Sequence, residues 1–221
     1  MILWLIFVGV LVASYLLALR SMRDFQEIPG EDEDYSLFLI RRPQELNFST
    51  LSLLRDNFLK SGQVLSFERL FKGYKSALVI FGPRRLTAVL KTLDLLELED
   101  YTQVSPEQVN AWEVGIKESI KSNPLTSVRF PQLNESEQLW WQLLVSRSFK
   151  PQIRAVLVVQ DPKRRKDLSS LVENLSPDRL IRLPRGFTNS ELLDFYQKRS
   201  FKKDNGNPPL SLEEVLSLVK I

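Results

Sequence analysis

The run from Ile2 to Leu19, ILWLIFVGVLVASYLLAL, holds no charge, no Pro and no Asn or Gln. Its eighteen residues make a helix of roughly 27 Å at about 1.5 Å per residue, close to the hydrocarbon thickness of a bilayer. A helix that is apolar on every face has no polar side to leave in water, so it belongs in a core or in lipid. At the very start of a chain, lipid is the better expectation. The run therefore predicts a retained anchor over residues 1–23, with the remainder hung from the membrane. A cleaved signal peptide fits less well, since no basic residue precedes the apolar core and the small-residue site near Ala18 runs straight into Leu19-Arg20. Arg20 and Arg23 follow the run and no Lys or Arg precedes it. The positive-inside rule then predicts a single-pass protein of the inner or plasma membrane with its carboxy-terminal domain in the cytoplasm.

The sequence contains no Cys and no His. That removes disulfides, thiolate nucleophiles, imidazole acid–base chemistry and Cys/His zinc sites. Neither G-x-x-x-x-G-K-[ST] nor G-x-G-x-x-G occurs, so the two commonest phosphate cradles are missing as well. No catalytic residue, metal site or cofactor is expected, so docking or binding leads as the function class, and a hydrolase or transferase relying on carboxylates or Lys ranks last. Glu97, Glu99 and Asp100 are the nearest approach to an acidic cluster, and surface charge is the simpler account of them.

Charge is distributed unevenly. Residues 24–34, DFQEIPGEDED, carry six acids and no base, a composition that predicts a solvated spacer. Residues 147–203 hold 14 Lys or Arg against 6 Asp or Glu. Beyond the spacer, a single pattern occurs twice. Strand Ala77–Phe81, Gly82-Pro83, Arg84-Arg85, a helix over 84–93 and strand Leu95–Tyr101 form the first copy. Strand Ala155–Val159, Asp161-Pro162, Lys163-Arg164-Arg165-Lys166, a helix over 163–175 and strand Arg179–Leu183 form the second. The expected fold class is therefore α/β (α+β): one transmembrane helix, then two related strand-Pro-helix-strand halves, with a ferredoxin-like arrangement as the candidate. The halves span 35–104 and 105–201, and 202–221 is a linker with an amphipathic last helix. Earlier elements are strand Tyr35–Ile40, a helix over 47–60 capped by Asn47 or Ser49, and a short helix from Ser66 with Phe67, Leu70 and Phe71 inward. Gln138–Ser146 reads as a strand covered on both sides.

Basic runs at helix starts oppose the helix dipole. A bound anion would relieve that, which makes Arg84, Arg85, Lys163, Arg164, Arg165 and Lys166 the candidate contacts for a phosphate of lipid or nucleic acid. Solvated surface charge is the plainer reading. Trp140-Trp141 has the chemistry of a base-stacking platform, but in a buried strand it belongs to the core.

The stretch NPLTSVRFPQLNESEQLWWQLLVSR, Asn123 to Arg147, resembles the region ahead of the motor in type IV secretion (conjugative transfer) ATPases, notably membrane-anchored bacterial ones. That family carries a segment of the kind D-P-L, then E-x-x-W-x-Q-I-L-I-R-P. Pro124-Leu125, Glu137, Trp140 or Trp141, Gln142, Leu143-Leu144 and Arg147 fit it. The resemblance covers about residues 35–150. It implies protein partners in a secretion or conjugation assembly, and because the sequence holds no Walker motif it carries over no ATPase residue. A membrane-anchored docking module is the first expectation, and a membrane-tethered nucleic-acid binder using the basic carboxy-terminal half is the second.

Overall fold

The computed structural model describes residues 2–23, 34–116, 130–173, 180–183, 186–202 and 207–220. The apolar run forms helix α1 (Ile2–Arg23), 22 residues long. Side chains are described there for Trp4 and residues 7–17, and Phe7, Val10, Leu11, Leu16 and Leu17 are each more than half exposed. Among the described residues no helix is long and apolar enough to cross a membrane. The structure thus gives the helix and does not carry the transmembrane assignment. The acidic spacer (24–33), Asn123 to Arg129 of the secretion-like stretch and the linker over 203–206 lie outside the described residues.

The remainder is a mixed α/β fold built on one antiparallel sheet of eight strands. In chain order these are β1 (Tyr35–Ile40), α2 (Phe48–Asn57), β2 (Leu65–Lys72), β3 (Lys75–Pro83), α3 (Leu86–Val89), β4 (Leu95–Leu98), β5 (Val109–Ile116), β6 (Gln138–Val145), β7 (Gln152–Val158), α4 (Pro162–Glu173), β8 (Leu180–Arg182), α5 (Asn189–Gln197) and α6 (Leu212–Val219). The sheet runs β4-β1-β3-β2-β6-β7-β5-β8. If the strands of each half are numbered one to four, the order is 4-1-3-2 followed by 2-3-1-4. The second strands of the two halves, β2 and β6, pair antiparallel from Leu65↔Val145 to Lys72↔Gln138 and close the seam. The twice-occurring pattern of the sequence lands on matching elements, β3-α3-β4 and β7-α4-β8.

One expectation needs correction. The segment from Ser66 is strand β2, not a helix. Phe67, Leu70 and Phe71 imitate helical spacing, yet Leu65 and Phe67 point to one face while Ser66 and Glu68 are buried on the other. The amphipathic carboxy-terminal helix forms as expected. Val215, Leu218 and Val219 of α6 are buried in the main core with Leu51 and Leu54 of α2, and Ser211 and Glu214 form its capping box.

Because strand side chains alternate, the sheet has two different faces. One packs Phe67, Ile80, Trp141, Leu143, Ile153 and Leu157 under α2, α4 and α6. The other packs Trp140, Val156, Val109 and Ala111 under Leu192, Leu193 and Tyr196 of α5. The paired tryptophans therefore split, one to each core.

Candidate functional site

The polar centre of the molecule lies under α5. The registers align Glu68 of β2, Gln142 of β6, Arg154 of β7 and Glu113 of β5 as directly opposed neighbours. Three adjacent strands thus present a carboxylate, an amide and a guanidinium to the same face. Glu68, Gln142 and Arg154 are 0%, 0% and 1% exposed, so each needs partners inside the protein. Gln142 Nε2 donates to Glu68 Oε1 at 3.1 Å and to the Tyr196 carbonyl at 3.0 Å. Arg154 donates from Nη1 to Gln142 Oε1 at 3.2 Å and from Nη2 to the Ser200 carbonyl at 2.8 Å. Burial pulls the Arg154 guanidinium down to about 10, with Glu113 opposing.

Arg199 completes the row from the end of α5. Its Nε lies 3.1 Å from Glu68 Oε1 and its Nη1 2.8 Å from Asp100 Oδ2. Its guanidinium also sits 4.8 Å from the centre of the Phe81 ring. Burial lowers the Arg199 pKa, but the Glu68 charge and the Asp100 hydrogen bond outweigh it and hold the group cationic. Tyr101 donates its hydroxyl proton to Glu68 Oε2 and sits 2.9 Å from the Tyr196 hydroxyl. Burial, then the Glu68 charge, raises both phenols well above their ordinary value.

The backbone at Arg199 explains why an arginine stands there. Lys198 ends α5, and Arg199 follows at φ 49°, in the left-handed region. Ser200 N–H donates to Phe195 O at 3.2 Å and Arg199 N–H to Tyr196 O at 3.1 Å, the Schellman pattern in which that position is usually Gly. An L-residue there costs about 1–2 kcal/mol. The side chain's contacts with Glu68 and Asp100 offset it.

This arrangement pairs its charges internally and, among the described residues, encloses no open substrate space. A cavity between Trp112, Trp141, Val172, Leu180 and Arg182 lies in the second half and has room for little more than a water. Among the described residues no group of three or more acids forms a metal-binding cluster. The carboxylates singled out in sequence separate: Glu97 pairs with Arg84 at 2.8 Å and Asp100 with Arg199.

The basic candidates also separate. Arg84 and Arg85 follow β3 at the end of the sheet where β1 begins, since Tyr35 pairs with Pro83. Arg84 binds Asp34 at 3.1 Å as well as Glu97, and Arg85 reaches Gln63. Lys163, Arg164, Arg165 and Lys166 follow β7 at the opposite end, because β2 and β6 run antiparallel at the seam and reverse the second half. Nine residues of β3 put the two ends roughly 26 Å apart at about 3.3 Å per residue. No single anion spans both clusters. Arg164 holds the otherwise buried Glu137 at 3.0 Å, and Arg165 donates to the Val159 carbonyl. Lys163 and Lys166 remain exposed.

No family model matches this chain, and no curated protein or solved structure matches it significantly. Reading by sequence missed the buried row. Arg154 was the available signal, a lone cation inside PQIRAVLVVQ at the same parity as Gln152.

The row makes a pH prediction. Burial raises the Asp100 carboxyl, but the Arg199 hydrogen bond and charge, with Thr102, outweigh this and hold it below its ordinary value. Its contribution is then complete above its unfolded pKa of about 3.9 and disappears as pH falls through the lower folded value. Urea unfolding between pH 6 and pH 2 should show stability falling more steeply below about pH 4 in the wild type than in Asp100→Asn. Parallel curves would remove Asp100 from the acid limb.

Proposed function

We propose that this chain is a non-enzymatic, membrane-anchored docking module. The observation that carries the reading is α1, a helix of 22 residues whose described apolar side chains are exposed around its circumference. Exposed apolar surface of that extent marks an interaction site, and lipid is its simplest occupant. The uncharged run of eighteen residues and the arginines after it support a single crossing with the sheet domain in the cytoplasm. The domain's buried charges are paired internally, which suits a rigid scaffold better than an active site. Its β-strand order supports two related ferredoxin-like units. The resemblance around Glu137, Trp140, Trp141, Gln142 and Leu143-Leu144 makes a type IV secretion or conjugation assembly the proposed setting.

Alkaline carbonate extraction of the full chain tests the anchor. The wild type should stay in the membrane pellet. A Val10→Arg, Val12→Arg variant, with about 2.5–3.5 kcal/mol of insertion penalty per arginine, should move to the supernatant. A wild type that is extracted overturns the anchor. Co-purification with a co-expressed Walker-type ATPase of the secretion class tests the setting separately, and failure there leaves the anchor standing.

A further inference from the structure

We infer that the end of the sheet farthest from the start of β1 is a binding surface for single-stranded nucleic acid, centred on the β2–β3 hairpin. Its tip reads Lys72-Gly73-Tyr74-Lys75, with Gly73 at φ 57°. Tyr74 is 83% exposed, the most exposed large apolar side chain among the described residues of the sheet domain, held only by a long 3.4 Å hydroxyl contact to Glu135. Lys72 and Lys75 flank it, both exposed and without an ion-pair partner among the described residues.

The seam brings the second half to the same place. Lys72 pairs with Gln138, and Gln138 with Val158. Three residues beyond Val158 comes Asp161, where α4 is about to start, with Lys163 and Lys166 exposed on its first turns. The turn ending at Glu137 ties these elements together. Glu137 O accepts from Gly73 N–H at 3.4 Å, while its carboxylate holds Arg164 at 3.0 Å. Four lysines with no ion pair among the described residues thus lie at the same end of the sheet as one exposed aromatic ring, with the exposed Glu135 and Asp161 among them.

Lysines without partners attract phosphates, and an exposed ring at the same end offers a face on which a base stacks. A duplex keeps its bases stacked inside and cannot use the ring, so the surface favours a single strand. Lipid fits less well. Tyr35, the first strand residue after the spacer, lies at the other end of the sheet, roughly 26 Å away by strand length, beyond the screening length of about 8 Å. That argument against lipid rests on α1 being the anchor, whereas the nucleic-acid surface does not.

The full chain in phosphatidylcholine nanodiscs, titrated into fluorescent dT20 and into a matched duplex, tests this. Neutralising about four phosphates gives a log–log salt slope near −3 for a single strand, or roughly 50-fold weaker binding at 200 mM than at 50 mM salt. Lys72→Glu with Lys75→Glu should weaken dT20 binding at least tenfold, and Lys163→Glu with Lys166→Glu likewise. Tyr74→Ala should cost about tenfold for dT20 and little for duplex. Arg147→Glu, at the opposite end, should leave binding unchanged. No binding of dT20 at 50 mM salt, equal losses from Arg147→Glu, or lysine variants that impair binding only to phosphatidylserine nanodiscs would each overturn the inference. Carbonate extraction, which reads the anchor alone, is unaffected by any of these outcomes.

Discussion

Arg199→Met is expected to lower the unfolding free energy by about 3–5 kcal/mol, because it strands the Glu68 carboxylate in the interior without its cation. For a domain of this size the thermal midpoint should fall by roughly 10 °C. Glu68 is 0% exposed and accepts from Ser66 Oγ, Gln142 and Tyr101 as well as Arg199, so it cannot rotate out to water. Two further variants separate the causes. Glu68→Gln with Arg199→Met removes the stranded charge and should recover some of the loss, with a coupling of about 1–3 kcal/mol in a double-mutant cycle. Arg199→Gly loses the same pairing but frees the left-handed backbone, so it should be about 1 kcal/mol more stable than Arg199→Met. Thermal and urea unfolding of these proteins, with Glu68→Gln alone to complete the cycle, measure all of this. Additive single variants would mean that the pair is not coupled, and the row would then be a set of independent hydrogen bonds.

The elements that sequence reading placed well are those with local causes. Asn47 caps α2 by accepting from Thr50 N–H. The β3-α3-β4 and β7-α4-β8 units were legible because an apolar run, a proline and a helical period stand next to each other, although the helix expected over 84–93 is α-helical only over Leu86–Val89 and the strand expected to Tyr101 ends at Leu98. What was not legible depends on pairing at long range. Ser66 and Glu68 looked like the polar side of a helix because the partners that make them tolerable, Gln142 and Arg199, lie 74 and 131 residues from Glu68. The basic clusters mark a subtler limit. Sequence matched Arg84-Arg85 with residues 163–166 across the repeated pattern, and each stretch follows the third strand of its half. Only the antiparallel seam between β2 and β6 shows that equivalence puts them at opposite ends of the sheet. Equivalence within a repeat is not proximity in space.

Trp140→Ala is expected to cost about 3–5 kcal/mol, the usual result of emptying a buried indole site. Trp140 is 1% exposed. Its ring meets Tyr101 edge-on at 5.3 Å and Tyr196 at 5.7 Å, while its Nε1–H donates to Gln138 Oε1 at 3.0 Å. These contacts make it the apolar wall of the ionic row, so its loss admits water beside Glu68 and Arg199 as well as leaving a void. The damage should be directional. Trp140 belongs to the core beneath α5, while Trp141 next to it belongs to the core beneath α2, α4 and α6. Hydrogen exchange of Trp140→Ala should show α5 amides losing protection first, with α2 and α6 losing theirs only at global unfolding. Equal loss on both faces would show that the α5 layer has no independence. Trp140→Phe keeps most of the apolar volume and should stay folded at a smaller cost. Because that ring is enclosed, the variant should leave dT20 binding unchanged where Tyr74→Ala weakens it. The contrast assigns the exposed tyrosine to binding and the buried tryptophan to the fold, although sequence composition makes Trp140 the more inviting platform.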